Sequence, residues 1–107
     1  MPGLKAEQLP IQSSEDIVKV RQVVRTRAVE LGFSLVEQTK LITAASELAR
    51  NTLDYGGGGT ARVLGLLGLL IFEVGHFGHR LSGRSMSCVA KRSWMRSGAG
   101  IRSIWLG

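Results

Sequence analysis

The stretch QTKLITAASELARNTLDYGGGG, residues 38–59, decides how the chain is read. Leu41, Ile42, Ala45, Leu48, Ala49, Thr52 and Leu53 fall at helical spacing and form one inward-facing stripe. At 100° per residue, Lys40, Ala44, Glu47, Asn51 and Asp54 point to nearly the opposite side. Gly56, Gly57, Gly58 and Gly59 then stop the helix and leave backbone free to approach a bound group closely. Glu47 and Asn51 are four residues apart, so the carboxylate lies one turn from the carboxamide. Polar residues opposite an apolar stripe ordinarily sit on a solvated face. The functional alternative has Glu47 orienting or deprotonating a nucleophile while Asn51 supplies an oxygen to a hard cation such as magnesium.

Upstream, Ser13 with Asp16, and Ser34 with Glu37, place an acid three residues after a capping hydroxyl, so a helix is predicted to start at each. Ile17, Val20, Val24, Ala28 and Leu31 form the first helix's stripe, and Gly32 ends it. The turn between the two helices is very short, which predicts antiparallel neighbours. Residues 9–12 read as a short extended segment, with Pro10 tolerated at an edge or strand start. Downstream, residues 60–74 read as one strand or a hairpin turning near Gly68, with a leucine-rich helix as the competing reading. From Gly75 onward no periodicity holds. An irregular tail is expected there, with at most a short helix over 87–96.

At 107 residues and 44% apolar content the chain allows one small domain with a modest core. Its single cysteine, Cys88, permits no intrachain disulfide and suits a reducing cytoplasm. Residues 1–10 show no signal peptide, and the apolar run 63–72, broken by Gly65 and Gly68, is too short for a membrane helix. The net charge of +6 is unevenly placed: residues 1–60 hold seven basic and seven acidic side chains, whereas 61–107 hold seven basic ones against Glu73 alone. The excess therefore belongs to the second part, which also holds both histidines, both tryptophans and the cysteine.

The wording from Ser14 to Gly59, above all ELGF-x4-Q-x4-TA-x-SELARN from Glu30 to Asn51, closely resembles one family. These are the anti-sigma regulatory factors of the serine/threonine-kinase type, the RsbT/RsbW-like proteins of bacterial stress signalling. The resemblance covers roughly residues 9–64. It implies an α+β fold of the histidine-kinase-like ATPase type, helices in one layer on a mixed sheet, and ATP with magnesium as cofactors. It also implies phosphorylation of an antagonist protein, with partner switching onto a phosphatase or sigma factor. By that resemblance Glu47 is the catalytic acid/base and Asn51 the magnesium ligand. Arg50 and the turn Tyr55, Gly56, Gly57, Gly58 and Gly59 lie near the phosphates or the lid.

The chain departs from the family after the glycines. An intact member carries Asp-x-Gly-x-Gly, whose aspartate reads the adenine amino group, and a Gly-x-Gly-x-Gly-Leu lid. No aspartate follows Asp54, and Gly98-Ala99-Gly100 is the nearest match to a lid. The expectation is therefore a partial ATPase domain over 9–74, a basic tail over 75–107, and weak or absent kinase activity. A frameshift soon after Gly59 accounts for the change of composition better than a divergent short member does. The alternative to a kinase is a truncated, non-catalytic fragment that binds a partner through its paired helices. His76, His79 and Cys88 lack a fourth metal ligand. Cys88 lacks a placed base and reads as an incidental or buried thiol. The tail with Trp94 and Trp105 carries no nucleic-acid motif, so a solvated tail is favoured over single-strand binding.

Overall fold

A computed structural model describes residues 5–66, 68–76, 85–97, 100 and 102–106. Strand β1 (Lys5–Ile11) leads into α1 (Ser14–Glu30) and α2 (Leu35–Gly56). Strands β2 (Gly59–Leu66), β3 (Leu69–His76) and β4 (Ser85–Lys91), the short α3 (Arg92–Ser97) and β5 (Arg102–Leu106) follow. The sheet order is β1-β2-β3-β4-β5, with every described ladder antiparallel. The α+β, helix-on-sheet architecture expected from the sequence is present. The mixed sheet is not seen among the described residues, because each strand pairs with its successor, and β1 meets β2 by way of an antiparallel helix pair.

Both helices begin as their capping residues dictate. The Asp16 carboxylate accepts from the backbone N–H groups of Gln12 at 2.8 Å and Ser13 at 3.1 Å. At α2 the exchange is reciprocal: Ser34 Oγ accepts from Glu37 N–H at 3.2 Å, and Glu37 Oε1 from Ser34 N–H at 2.7 Å. Such caps satisfy N–H groups that the first turn leaves orphaned, contributing about 1 kcal/mol each. The far end of α2 closes on Gly57, whose φ of 72° is the left-handed conformation that a Cβ disfavours. The next residue, Gly58, donates its N–H to the Thr52 carbonyl at 3.1 Å.

The stripes read from the sequence are the core. Ile17, Val20, Val24 and Ala28 of α1 are buried, as are Leu41, Ile42, Ala45, Leu48, Ala49 and Thr52 of α2. They pack on Ile11, Ala61, Val63, Leu70, Phe72, Val74, Cys88 and Ala90 from one face of the sheet. The alternating burial of Ala61 and Val63, and of Leu70, Phe72 and Val74, settles residues 60–74 as a hairpin. A helix would have carried these side chains around its whole circumference. Gly65 is a close-approach position: a Cβ there would meet Leu31 Cδ1 at 3.2 Å and Arg27 Cδ at 3.6 Å. The Arg27 guanidinium pairs with Glu7 of β1 and Glu30 of its own helix, tying α1 to the outermost strand.

The expectation of an irregular chain from Gly75 onward needs correction. Residues 85–91 form β4 and 102–106 form β5, while the helix predicted within 87–96 is confined to α3. Cys88 and Ala90 alternate with half-buried Val89 and exposed Lys91. That two-residue period is too short, and too poor in β-branched residues, to stand out in the sequence. His79 lies outside the described residues. Cys88 is buried, and desolvation pushes its thiol up to about 11, against thiolate nucleophilicity.

Candidate functional site

The candidate site is a face of α2. Ala45, Leu48, Ala49 and Thr52 point into the core, which turns residues 46, 47, 50 and 51 towards the other side. Glu47, Arg50 and Asn51 are exposed, and Ser46 is half-buried. These four line an open hollow of about 330 Å³. They form two adjacent rails, each of residues four apart: Glu47 with Asn51, and Ser46 with Arg50. Ser46 Oγ donates to the Ile42 carbonyl at 2.7 Å, so its proton is committed to the helix and only its lone pairs face outward.

Among the described residues, the side chains of Glu47, Arg50 and Asn51 make no hydrogen bond or ion pair, although Glu47 and Asp54 flank Arg50 at helical spacing. The face thus presents carboxylate and carboxamide oxygens beside one guanidinium, all unengaged. Oxygen donors of this kind fit magnesium, which takes one or two protein carboxylate or carbonyl ligands and keeps several waters. The guanidinium fits a phosphate oxygen pair. The donor set is therefore compatible with a magnesium–phosphate ligand.

The glycine turn stands differently from its sequence reading. Tyr55 and Gly56 belong to the last turn of α2, and Gly57 is exposed at its end. Gly58 and Gly59 are buried, and Gly59 already pairs with Ile11 and His76. Gly57, Gly58 and Gly59 are not among the residues that line the hollow. Ser46 was not singled out in the sequence. Its position one residue before Glu47 and four before Arg50 is the signal that would have found it.

Part of the chain has a counterpart among known proteins. The chain is 51% identical over 49 residues to the serine/threonine-protein kinase RsbT of Bacillus subtilis (strain 168). The N-terminal part of the chain is RsbT-like. The match covers 46% of this chain and spans 37% of the length of RsbT, so the likeness is to a segment of that kinase. No family model matches, and no solved structure matches. No helix among the described residues is long and apolar enough to cross a membrane.

Proposed function

We propose that the RsbT-like segment is the first nucleotide-binding element of an ATP-dependent serine/threonine protein kinase of bacterial stress signalling. Its cofactors would be ATP and magnesium, and its setting cytoplasmic. The substrate would be an antagonist protein, with partner switching onto a phosphatase or sigma factor. The observation that carries this reading is the exposed, unengaged pair of Glu47 and Asn51 on one face of α2. Glu47 would accept the proton of the attacking hydroxyl, and Asn51 would offer its carboxamide oxygen to magnesium. Arg50 sits where it can face the phosphates. Bound magnesium supplies neutralisation of phosphate charge.

Phosphoryl transfer relies on positioning and charge stabilisation rather than covalent help from the protein. The chain lacks an aspartate after Asp54 to read adenine, and lacks a Gly-x-Gly-x-Gly-Leu lid. We therefore expect weak Mg·ATP binding and little kinase activity. Calorimetric titration checks this: dissociation constants well above the micromolar range are expected, and micromolar affinity overturns the impairment.

A second reading, a non-catalytic fragment that binds a partner through its paired helices, draws on the outer surface of the helix layer. Val18 and Val29 of α1, and Leu35 and Val36 of α2, are exposed apolar residues. A smaller hollow of about 190 Å³ on α1 is lined by Val18, Arg21, Gln22 and Arg25. Pull-down of an antagonist protein with and without ATP separates the readings: nucleotide-dependent capture supports the kinase, nucleotide-independent capture the fragment.

A further inference from the structure

The sheet has a face turned away from the helices. On β2 and β3 the buried Ala61, Val63, Leu70, Phe72 and Val74 alternate with Arg62, Leu64, Ile71 and Glu73, so the second set points to the other side. The ladders line these residues up in rows across the strands. Ala6, Leu64, Ile71 and Val89 make one row, and Gln8, Arg62 and Glu73 lie in the next. Leu64, Ile71 and Val89 are half-buried, and none of them packs on the core cluster under the helices. Arg62 keeps 53% of its side chain exposed and Glu73 28%. Their closest approach, Arg62 Nη1 to Glu73 Oε1 at 3.7 Å, is too long for a hydrogen bond, so both charges stay open to a further partner.

We propose that this face is the interface of a homodimer, two copies packing sheet on sheet about a twofold axis that runs along the strands between β2 and β3. Leu64 stands opposite Ile71 in the ladder, and Arg62 opposite Glu73, so that rotation lays each row on its own reverse. Leu64 of one copy then meets Ile71 of the other, and Arg62 of each copy meets Glu73 of the other. The apolar row leaves water while each charge gains a second partner. One base beside one acid is self-complementary, whereas a face built for an acidic or a basic partner would carry a single sign. Strands β1 to β4 are seven or eight residues long. At sheet spacings they cover about 25 Å by about 19 Å, or roughly 500 Å² per copy. About 1,000 Å² for the pair is the lower bound for a specific interface, so the dimer is weak and concentration-dependent. It needs no nucleotide, and it leaves both long helices and the α2 hollow on its outside.

Sedimentation equilibrium of the full chain over a wide concentration range reads the association. R62E sets acid against acid at both charged contacts, and E73R sets base against base, so each variant alone is expected to associate about tenfold more weakly than the parent chain. An equimolar mixture of the two sets acid against base at both contacts and is expected to return to within about threefold of the parent affinity. I71E is expected to abolish association. Far-UV circular dichroism should be unchanged in all three, because these side chains lie off the core. If I71E proves unfolded, the charge-swap mixture still decides. A parent chain that stays monomeric throughout overturns the proposal, as does a mixture no better than either variant alone. A folded I71E chain that still dimerises places the contact on a sheet edge or the helix layer and overturns it as well.

Discussion

Residues 5–56 and residues 59–106 build one sheet domain by different means. The first region carries capped helices, balanced charge and a continuous apolar stripe on each helix. Its local and tertiary signals agree, which is the mark of a segment that specifies its own structure. The second supplies strands whose buried positions include Ala61, Cys88 and Ala90, and whose acidic content is Glu73 alone. Those strands pair in order, yet what holds them is the neighbouring strand and the helix layer above. Chemistry divides along the same line. The unengaged side chains of Glu47, Arg50 and Asn51 lie on α2, and the second region's described contribution is the surface beneath.

The comparison breaks first in the core. Phe72 is 1% exposed and lies under α2, so F72A should cost about 3–5 kcal/mol; Leu41, at 2% exposed, should cost about 2–5 kcal/mol on L41A. Denaturant unfolding checks both. A small effect for F72A beside a full effect for L41A would show that the second region is not packed as described. Next, G65V places a branched side chain against Leu31 and Arg27, and a loss of about 1–3 kcal/mol is expected in the same assay. Capping sharpens the contrast further: S34A should cost about 1 kcal/mol, read as a lower midpoint with an unchanged denaturant slope.

The buried thiol gives a pH test. Cys88 titrates at about 11 in the fold against an ordinary value of 9.0, because burial disfavours the thiolate. Between those values the unfolded chain has lost the proton that the folded chain keeps. This group's contribution to stability is therefore whole below about 9 and lost as pH climbs towards 11. The difference in unfolding free energy between wild type and C88A, followed from pH 8 to 11, should shrink accordingly. A pH-independent difference would mean that β4 leaves the thiol in water. The smallest effect on stability is expected for N51A, within about 0.5 kcal/mol, since Asn51 is exposed and unengaged. Its effect should appear instead as weakened magnesium-dependent phosphate binding.

What could be read from the sequence follows the same division. Ser34 with Glu37, the stripe from Leu41 to Leu53, and a stop within the run Gly56 to Gly59 were legible because each is a local signal with a local cause, although Gly56 itself still belongs to α2. The outward placement of Glu47 and Asn51 followed from the stripe. Strand β4 was not legible, since Ser, Cys, Ala and Lys carry little intrinsic strand preference, and β5 was not, since its Ile104, Trp105 and Leu106 form a short continuous apolar run with no alternation to read. Ser46 escaped for another reason: a hydroxyl facing a hollow looks the same in sequence as one capping its own helix. We retain as a proposal that a change of reading frame after codon 60 produced the second region. Sequencing the coding DNA tests it, because absence of an Asp-x-Gly-x-Gly in any other frame downstream removes the idea.

The ladder joining β1 to β2 starts with Ile11 opposite Gly59, so both helices are an excursion whose two feet stand side by side. A pull on the amino terminus would unzip the outermost strand and, through Glu7 and Arg27, load the base of that excursion before reaching the strands beyond. Because Arg27 belongs to α1, that load falls on the first helix, next to the strand that frays first.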